Sequence, residues 1–240
     1  MFVKETFPVT SYVSPWLAPL LYRLGRSLLL PLYFKRIEVI GRQHLPSSGP
    51  VLLAPTHRAR WDALMIPYAA GQDITGRDLR FMVSHDEMQG IQGWFVRRFG
   101  GFSVDTKRPT IASLRHGVEL LQAGETLVIF PEGNIFRDRR INPLKPGLAR
   151  LAIQAEADKP GLGIIILPVA IHYSQLPPRW RCDVHIQIGS PLKVATYCIG
   201  PTKQAAQRLT ADLEASLQNL ASCKTPETGS LATKYTRLGP

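Results

Sequence analysis

The sequence is short of acids and cysteine, and it holds no long apolar run. Cys182, Cys198 and Cys223 are scattered over 240 residues with no CxxC pair, which argues against a disulfide framework and a zinc site and leaves a reducing compartment as the default. The three thiols read as small apolar fillers or surface groups. A spanning helix needs about 20 mostly apolar residues. From Thr6 to Tyr22 there is no charge, but Pro8, Pro15 and Pro19 interrupt the segment, and Arg23 and Arg26 divide it from the apolar Ser27–Phe34. The N-terminus also lacks the basic stretch, apolar run and small-residue cleavage site of a signal peptide. No GxSxG nucleophile motif and no nucleic-acid recognition motif occurs. A serine acyl-enzyme and a nucleic-acid partner are therefore not expected.

Acids number 18 against 29 Lys and Arg, a formal net charge of +11. Such an excess points to an anionic partner: a phosphate-bearing lipid, an acidic carrier protein, a phosphorylated cofactor or nucleic acid. Hydrophobic residues make up 45%, enough for one domain with its own core and too many for a disordered chain. Residues 1–36 place Trp16, Tyr22, Tyr33 and Phe34 among leucines and set Arg23, Arg26, Lys35 and Arg36 beside them. That mixture suits a helical segment lying in the headgroup region of an anionic membrane, with its cations near lipid phosphates. A pair of helices capping the core is the competing reading. The expectation is a peripheral or monotopic protein on the cytoplasmic side of a membrane.

After Arg36 the pattern changes to short apolar runs bounded by turn residues. Ile37–Gly41, Pro50–Pro55, Arg80–Ser84, Phe102–Val104, Thr126–Phe130, Gly163–Tyr173 and Asp183–Ile188 read as strands. Pro109–Ala123, Pro146–Ala157 and Lys203–Ala221 carry apolar residues at helical spacing. Strands alternating with helices predict an α/β fold, with a central mixed or mainly parallel sheet flanked by helices, over residues 37–221. Residues 222–240 have no periodicity and read as a flexible tail.

Chemistry concentrates after the second strand, in Thr56-His57-Arg58-Ala59-Arg60-Trp61-Asp62. On one straight helix His57 and Asp62 would point about 140° apart. With His57 in a strand-to-helix loop and Asp62 opening a helix to Gly71, the carboxylate can fold back on the imidazole. It then holds one ring N–H and leaves the other nitrogen to take a proton. His-x4-Asp alone is a weak signal. Phe130-Pro131-Glu132-Gly133-Asn134 ends another strand, where α/β sheets place ligand sites. Gly100–Asp105 runs into Lys107 and Arg108, and Leu167-Pro168-Val169-Ala170-Ile171 is a Pro-containing apolar strand.

Taken in order, these four blocks resemble the glycerolipid acyltransferase family, which includes 1-acyl-sn-glycerol-3-phosphate and other lysophospholipid acyltransferases. The resemblance covers roughly residues 16 to 220. It implies that His57, oriented by Asp62, deprotonates the free hydroxyl of a lysophospholipid. The oxygen then attacks the thioester of acyl-coenzyme A or acyl-carrier protein, a co-substrate and not a bound cofactor; no metal is implied. Glu132 and Gly133 are expected to shape the acceptor site. The family's basic residues are displaced: Thr106 stands where one ends the Gly-Phe block, and Asn134-Ile135 replaces a frequent Thr-Arg. Either Lys107, Arg108, Arg137 or Lys145 takes over the acceptor's phosphate, or the acceptor is not lysophosphatidic acid. Glycerol 3-phosphate, another lysophospholipid and an amine-bearing lipid are the alternative acceptors, and a non-catalytic membrane-surface protein is the alternative class.

Overall fold

Residues 9–105 and 110–222 are described in the computed structural model. The apolar runs form β1 (Arg36–Ile40), β2 (Val51–Pro55), β3 (Leu79–Ser84), β4 (Gly101–Val104), β5 (Thr126–Val128), β6 (Ile165–Tyr173), β7 (Asp183–Ile188) and β8 (Leu192–Lys193). They join in one sheet of order β1-β7-β6-β2-β5-β3-β4, with β8 beside the start of β6. β6, β2, β5, β3 and β4 run parallel, while β7 and β8 are antiparallel to β6. All seven expected strands form. Two residues of β8 are too few to carry a pattern, so that strand was not legible.

The helices are α1 (Leu17–Leu24), α2 (Leu30–Tyr33), α3 (Asp62–Ala70), α4 (Gln72–Thr75), α5 (Gly90–Arg98), α6 (Ile111–Gln122), α7 (Gly147–Asp158) and α8 (Thr202–Ser222). A wider π-helical turn over Gly25–Leu29 joins α1 to α2. Pro31 follows this turn, and a proline ring in an ordinary helix collides with the carbonyl four residues back. A locally widened helix relieves such crowding. None of the helices is long and apolar enough to cross a membrane, among the described residues. α5 was not expected, because Gly90 and Gly93 lower its helix propensity. Gly93 is needed for packing: a Cβ there would come within 2.0 Å of the Met88 carbonyl oxygen.

Strand β2 shows why the central runs are apolar throughout. Leu52 and Ala54 pack in one cluster with Leu148 and Ala152 of α7 and Leu209 and Leu213 of α8. Val51 and Leu53 pack on the opposite face with Met65 and Ile66 of α3 and with Leu30 and Phe34. A parallel sheet covered on both faces has no solvent side to alternate with. Truncating Leu213 to alanine in such a core costs about 2–5 kcal/mol. The N-terminal helices belong to this packing: Leu30 and Phe34 are each 2% exposed. The Arg26 guanidinium ties them further, lying 4.5 Å over the Tyr68 ring and bonding the Tyr68 carbonyl.

Candidate active site

Three neighbouring parallel strands end together. Register pairs Leu53 with Val128 and Pro55 with Val169, so the residues beyond the carboxyl ends of β2 and β5 meet alongside the end of β6. This brings His57, Glu132 and Tyr173 to one edge of the sheet. The Thr56 hydroxyl accepts from the Ile171 N–H at 2.9 Å and its own N–H donates to the Val169 carbonyl at 2.9 Å, pinning the loop to β6 as it leaves the sheet.

Asp62 opens α3 as its sequence position suggests, and the loop before it wraps its carboxylate. Oδ2 accepts from the Arg58 N–H at 2.5 Å, the Ala59 N–H at 2.8 Å and His57 Nδ1 at 3.0 Å. Oδ1 accepts from the Tyr173 hydroxyl at 2.7 Å. The Asp62 side chain is fully buried, and these four donors compensate its lost hydration. Burial, and then the Asp62 charge, push the Tyr173 phenol well above its usual range, so it remains a donor. The bond to the carboxylate places the His57 proton on Nδ1 and leaves Nε2 as an acceptor. Phe130 stacks on the imidazole at 4.0 Å between ring centroids and shields one face from water.

Behind this pair lies a second buried ion pair. Arg58 Nη1 donates to both oxygens of Glu132, each at 3.0 Å, and the two side chains are 4% and 0% exposed. Glu132 also accepts from the His57 N–H at 3.2 Å and from the backbone and side-chain N–H groups of Asn142 at 3.1 and 3.2 Å. Arg58 Nη2 reaches the Arg140 carbonyl at 2.8 Å. Glu132, expected with Gly133 to shape the acceptor site, is part of the wall of the apolar cavity in front of His57. Its oxygens are taken by protein donors, so it holds the His57 loop and the 132–142 loop together.

An apolar cavity of about 1100 Å³ lies in front of His57. Leu21, Leu29, Phe81, Val83, Phe95 and Leu114 are among its wall, so it runs between the N-terminal helices, the sheet edge and α5. Gly133 and Lys145 also line it. Gly133 has φ +70° and lies under the Lys145 side chain, whose Nζ would be 2.7 Å from a Cβ at that position. Arg137 is exposed and is not part of the wall, so the structure does not bring it to the other candidates. Lys107 and Arg108 lie outside the described residues. Arg58, inside the His57–Asp62 segment, ranks only as a second choice in the sequence, where nothing indicates its pairing with Glu132. Nothing in the sequence singled out Tyr173 or Asn142.

His57, held by a buried carboxylate, thus faces an apolar cavity at the carboxyl end of the sheet. The profile of the acyltransferase family matches residues 36–172, and the chain belongs to that family. It is similar to the 1-acyl-sn-glycerol-3-phosphate acyltransferase of Bacillus subtilis (strain 168), 24% identical over 187 residues that make up 77% of this chain and 87% of that one. It is also similar to the 1-acyl-sn-glycerol-3-phosphate acyltransferase of Streptococcus pneumoniae (strain ATCC BAA-255 / R6), 28% identical over 60% of this chain and 50% of the relative. Among solved structures, the 1-acyl-sn-glycerophosphate acyltransferase PlsC from Thermotoga maritima shares the fold with a TM-score of 0.63 and 18% identity, over 86% of this chain and 80% of that one.

Proposed function

We propose that the protein transfers a fatty acyl group from a thioester donor, acyl-coenzyme A or acyl-carrier protein, to the free hydroxyl of 1-acyl-sn-glycerol 3-phosphate, giving phosphatidic acid. The observation that carries this is His57 held at 3.0 Å by a buried carboxylate at the head of an apolar cavity. The acceptor is the one that the Bacillus and Streptococcus relatives are named for.

His57 Nε2 takes the acceptor's hydroxyl proton as the oxygen attacks the thioester carbonyl, and Asp62 stabilises the imidazolium that forms. The tetrahedral intermediate collapses, the carbon–sulfur bond breaks, and the departing thiolate takes the proton back from His57. No acyl-enzyme forms. The cavity binds an alkyl chain through area removed from water, about 0.8 kcal/mol per methylene. Lys145 over Gly133 supplies positive charge for the acceptor's phosphate. The N-terminal helices rest on the cytoplasmic face of an anionic membrane, with the exposed Trp16, Leu20, Leu28 and Leu32 and the exposed Arg23 and Lys35 at the headgroups.

The test is a parallel screen of lysophosphatidic acid, glycerol 3-phosphate, neutral lysophospholipids and an amine-bearing lysolipid, each with acyl-coenzyme A and with acyl-carrier protein. Transfer to lysophosphatidic acid above all others, lost in Lys145→Ala through a raised KM, supports the reading. Preference for an acceptor without phosphate overturns the acceptor assignment, and undiminished transfer by His57→Ala ends the mechanism.

A further inference from the structure

The cavity in front of His57 has an apolar mouth. Leu24, Leu29, Leu64 and Phe95 line the cavity and still expose 46%, 44%, 42% and 41% of their surface, so the wall reaches the outside through large hydrophobic side chains. Beside Phe95, α5 presents Ile91 at 80% and Trp94 at 41% exposure, neither of which lines the cavity. Across the mouth, the N-terminal helices expose Leu20, Leu28 and Leu32. The two segments are fixed to one another: the Ser14 N–H donates to the Arg98 carbonyl at 2.9 Å, and Tyr22 meets Phe99 edge-on at 6.2 Å. Exposed apolar side chains from two parts of the chain distant in sequence are thus held beside one cavity.

Exposure of this extent marks an interaction site, and its surroundings identify the partner. Arg23, Lys35 and Arg97 are exposed on the same two segments, and the Arg98 guanidinium lies 3.9 Å over the Trp94 ring. Leucine and tryptophan flanked by cations is the composition of a surface seated at the boundary of an anionic bilayer. A water-filled mouth would also make an alkyl chain cross solvent on its way in. We propose that α5 is a second membrane-contacting element, whose Ile91 and Trp94 enter an anionic leaflet with the N-terminal helices and set the cavity's apolar rim in lipid. The lysolipid acceptor then enters sideways from the bilayer. This rests on the reading of the cavity as the acyl site.

The full chain is compared with Ile91→Ser/Trp94→Ser on vesicles of phosphatidylglycerol and phosphatidylcholine. Cosedimentation falls about tenfold or more, in keeping with two large side chains withdrawn from lipid, and the apparent KM for lysolipid presented in those vesicles rises in step. Transfer to a short-chain acceptor dissolved below its micelle concentration is unchanged. Ile199→Ser removes an isoleucine of 72% exposure outside the cavity wall and alters neither. Trp94→Phe retains sedimentation but loses part of the blue shift in tryptophan emission on vesicle binding; this measurement decides the matter if the double variant also loses transfer to the dissolved acceptor. Equal sedimentation of parent and double variant, or an undiminished blue shift in Trp94→Phe, overturns the proposal. Vesicle binding that depends on α5, in a parent that acylates no acceptor, overturns the proposed function and leaves the surface standing.

Discussion

Behind His57, the side chains of Asp62, Arg58, Glu132, Asn142 and Tyr173 are joined by hydrogen bonds of 2.7 to 3.2 Å. In front of it, apolar side chains predominate in the cavity wall, leucine and phenylalanine the commonest among them. The first region fixes direction. Its charges are costly to bury and persist only because each is met by a partner, and they hold one imidazole in one tautomer. The second region supplies area, which attracts an alkyl chain without fixing its orientation. Substitutions behind His57 should therefore act on turnover and stability, and those in front on which chain is accepted.

The largest effect is expected at the junction of the two. His57→Ala removes the proposed base, and kcat falls by about 10²–10⁴-fold, while the melting temperature changes little because the carboxylate behind it keeps three donors. A melting temperature that collapses with the activity would make His57 structural. Next comes Arg58→Met, which strands Glu132 at 0% side-chain exposure. Urea unfolding should show a loss of about 3–5 kcal/mol. Adding Glu132→Gln should recover much of that stability without restoring turnover, because the His57 loop loses its anchor.

Tyr173→Phe tests direction alone, since the ring stays and one donor to Asp62 is lost. The cost is about 1.5–3 kcal/mol of unfolding free energy for a hydrogen bond to a charged group, read by urea unfolding, and kcat falls with KM unchanged. In front of the base, Leu21→Trp fills part of the cavity from α1. It should move the preferred acyl chain shorter by a few methylenes at little cost in stability, measured by competition between donors of different length.

These regions were unequally legible. His57 and Asp62 could be paired from sequence because a loop-then-helix reading lets groups five apart meet, and because three further blocks in order complete the family resemblance. The β2 and β6 runs could be read because strands buried on both faces are apolar throughout. Tyr173 gave no signal: its partner is 111 residues away, and a tyrosine at a strand end reads the same whether or not its hydroxyl is used. Glu132 was placed at the right strand end, but whether it faces substrate or Arg58 depends on loop geometry that no spacing encodes. α5 escaped because Gly90 and Gly93 lower its helix propensity and its apolar residues at helical spacing, Ile91, Trp94 and Phe95, are too few to outweigh them.

Tyr22 is where the two regions' rules mix, and it should yield the smallest effect. Its ring lines the apolar cavity, yet its buried hydroxyl lies near the Leu79 backbone N–H without meeting it in hydrogen-bond geometry. Burial, then the nearby Asp78 and Asp73 charges, push this phenol up to about 12 from an ordinary 10.0. A pKa raised in the folded state means that the neutral form is favoured by folding. The resulting stability is complete below pH 10 and is lost as the pH rises through about 12. Burial, then the hydrogen bond to Asp212, likewise raises Tyr197 to about 12, and its contribution to stability is lost in the same window. Tyr22→Phe should therefore cost less than about 1 kcal/mol at neutral pH, because no good hydrogen bond is removed. Between pH 10 and 12 it should flatten the decline in unfolding free energy without abolishing it. A loss of several kcal/mol at pH 7 would show that the hydroxyl is held as firmly as the groups behind His57, and the division between the two regions would not extend to this end of the cavity.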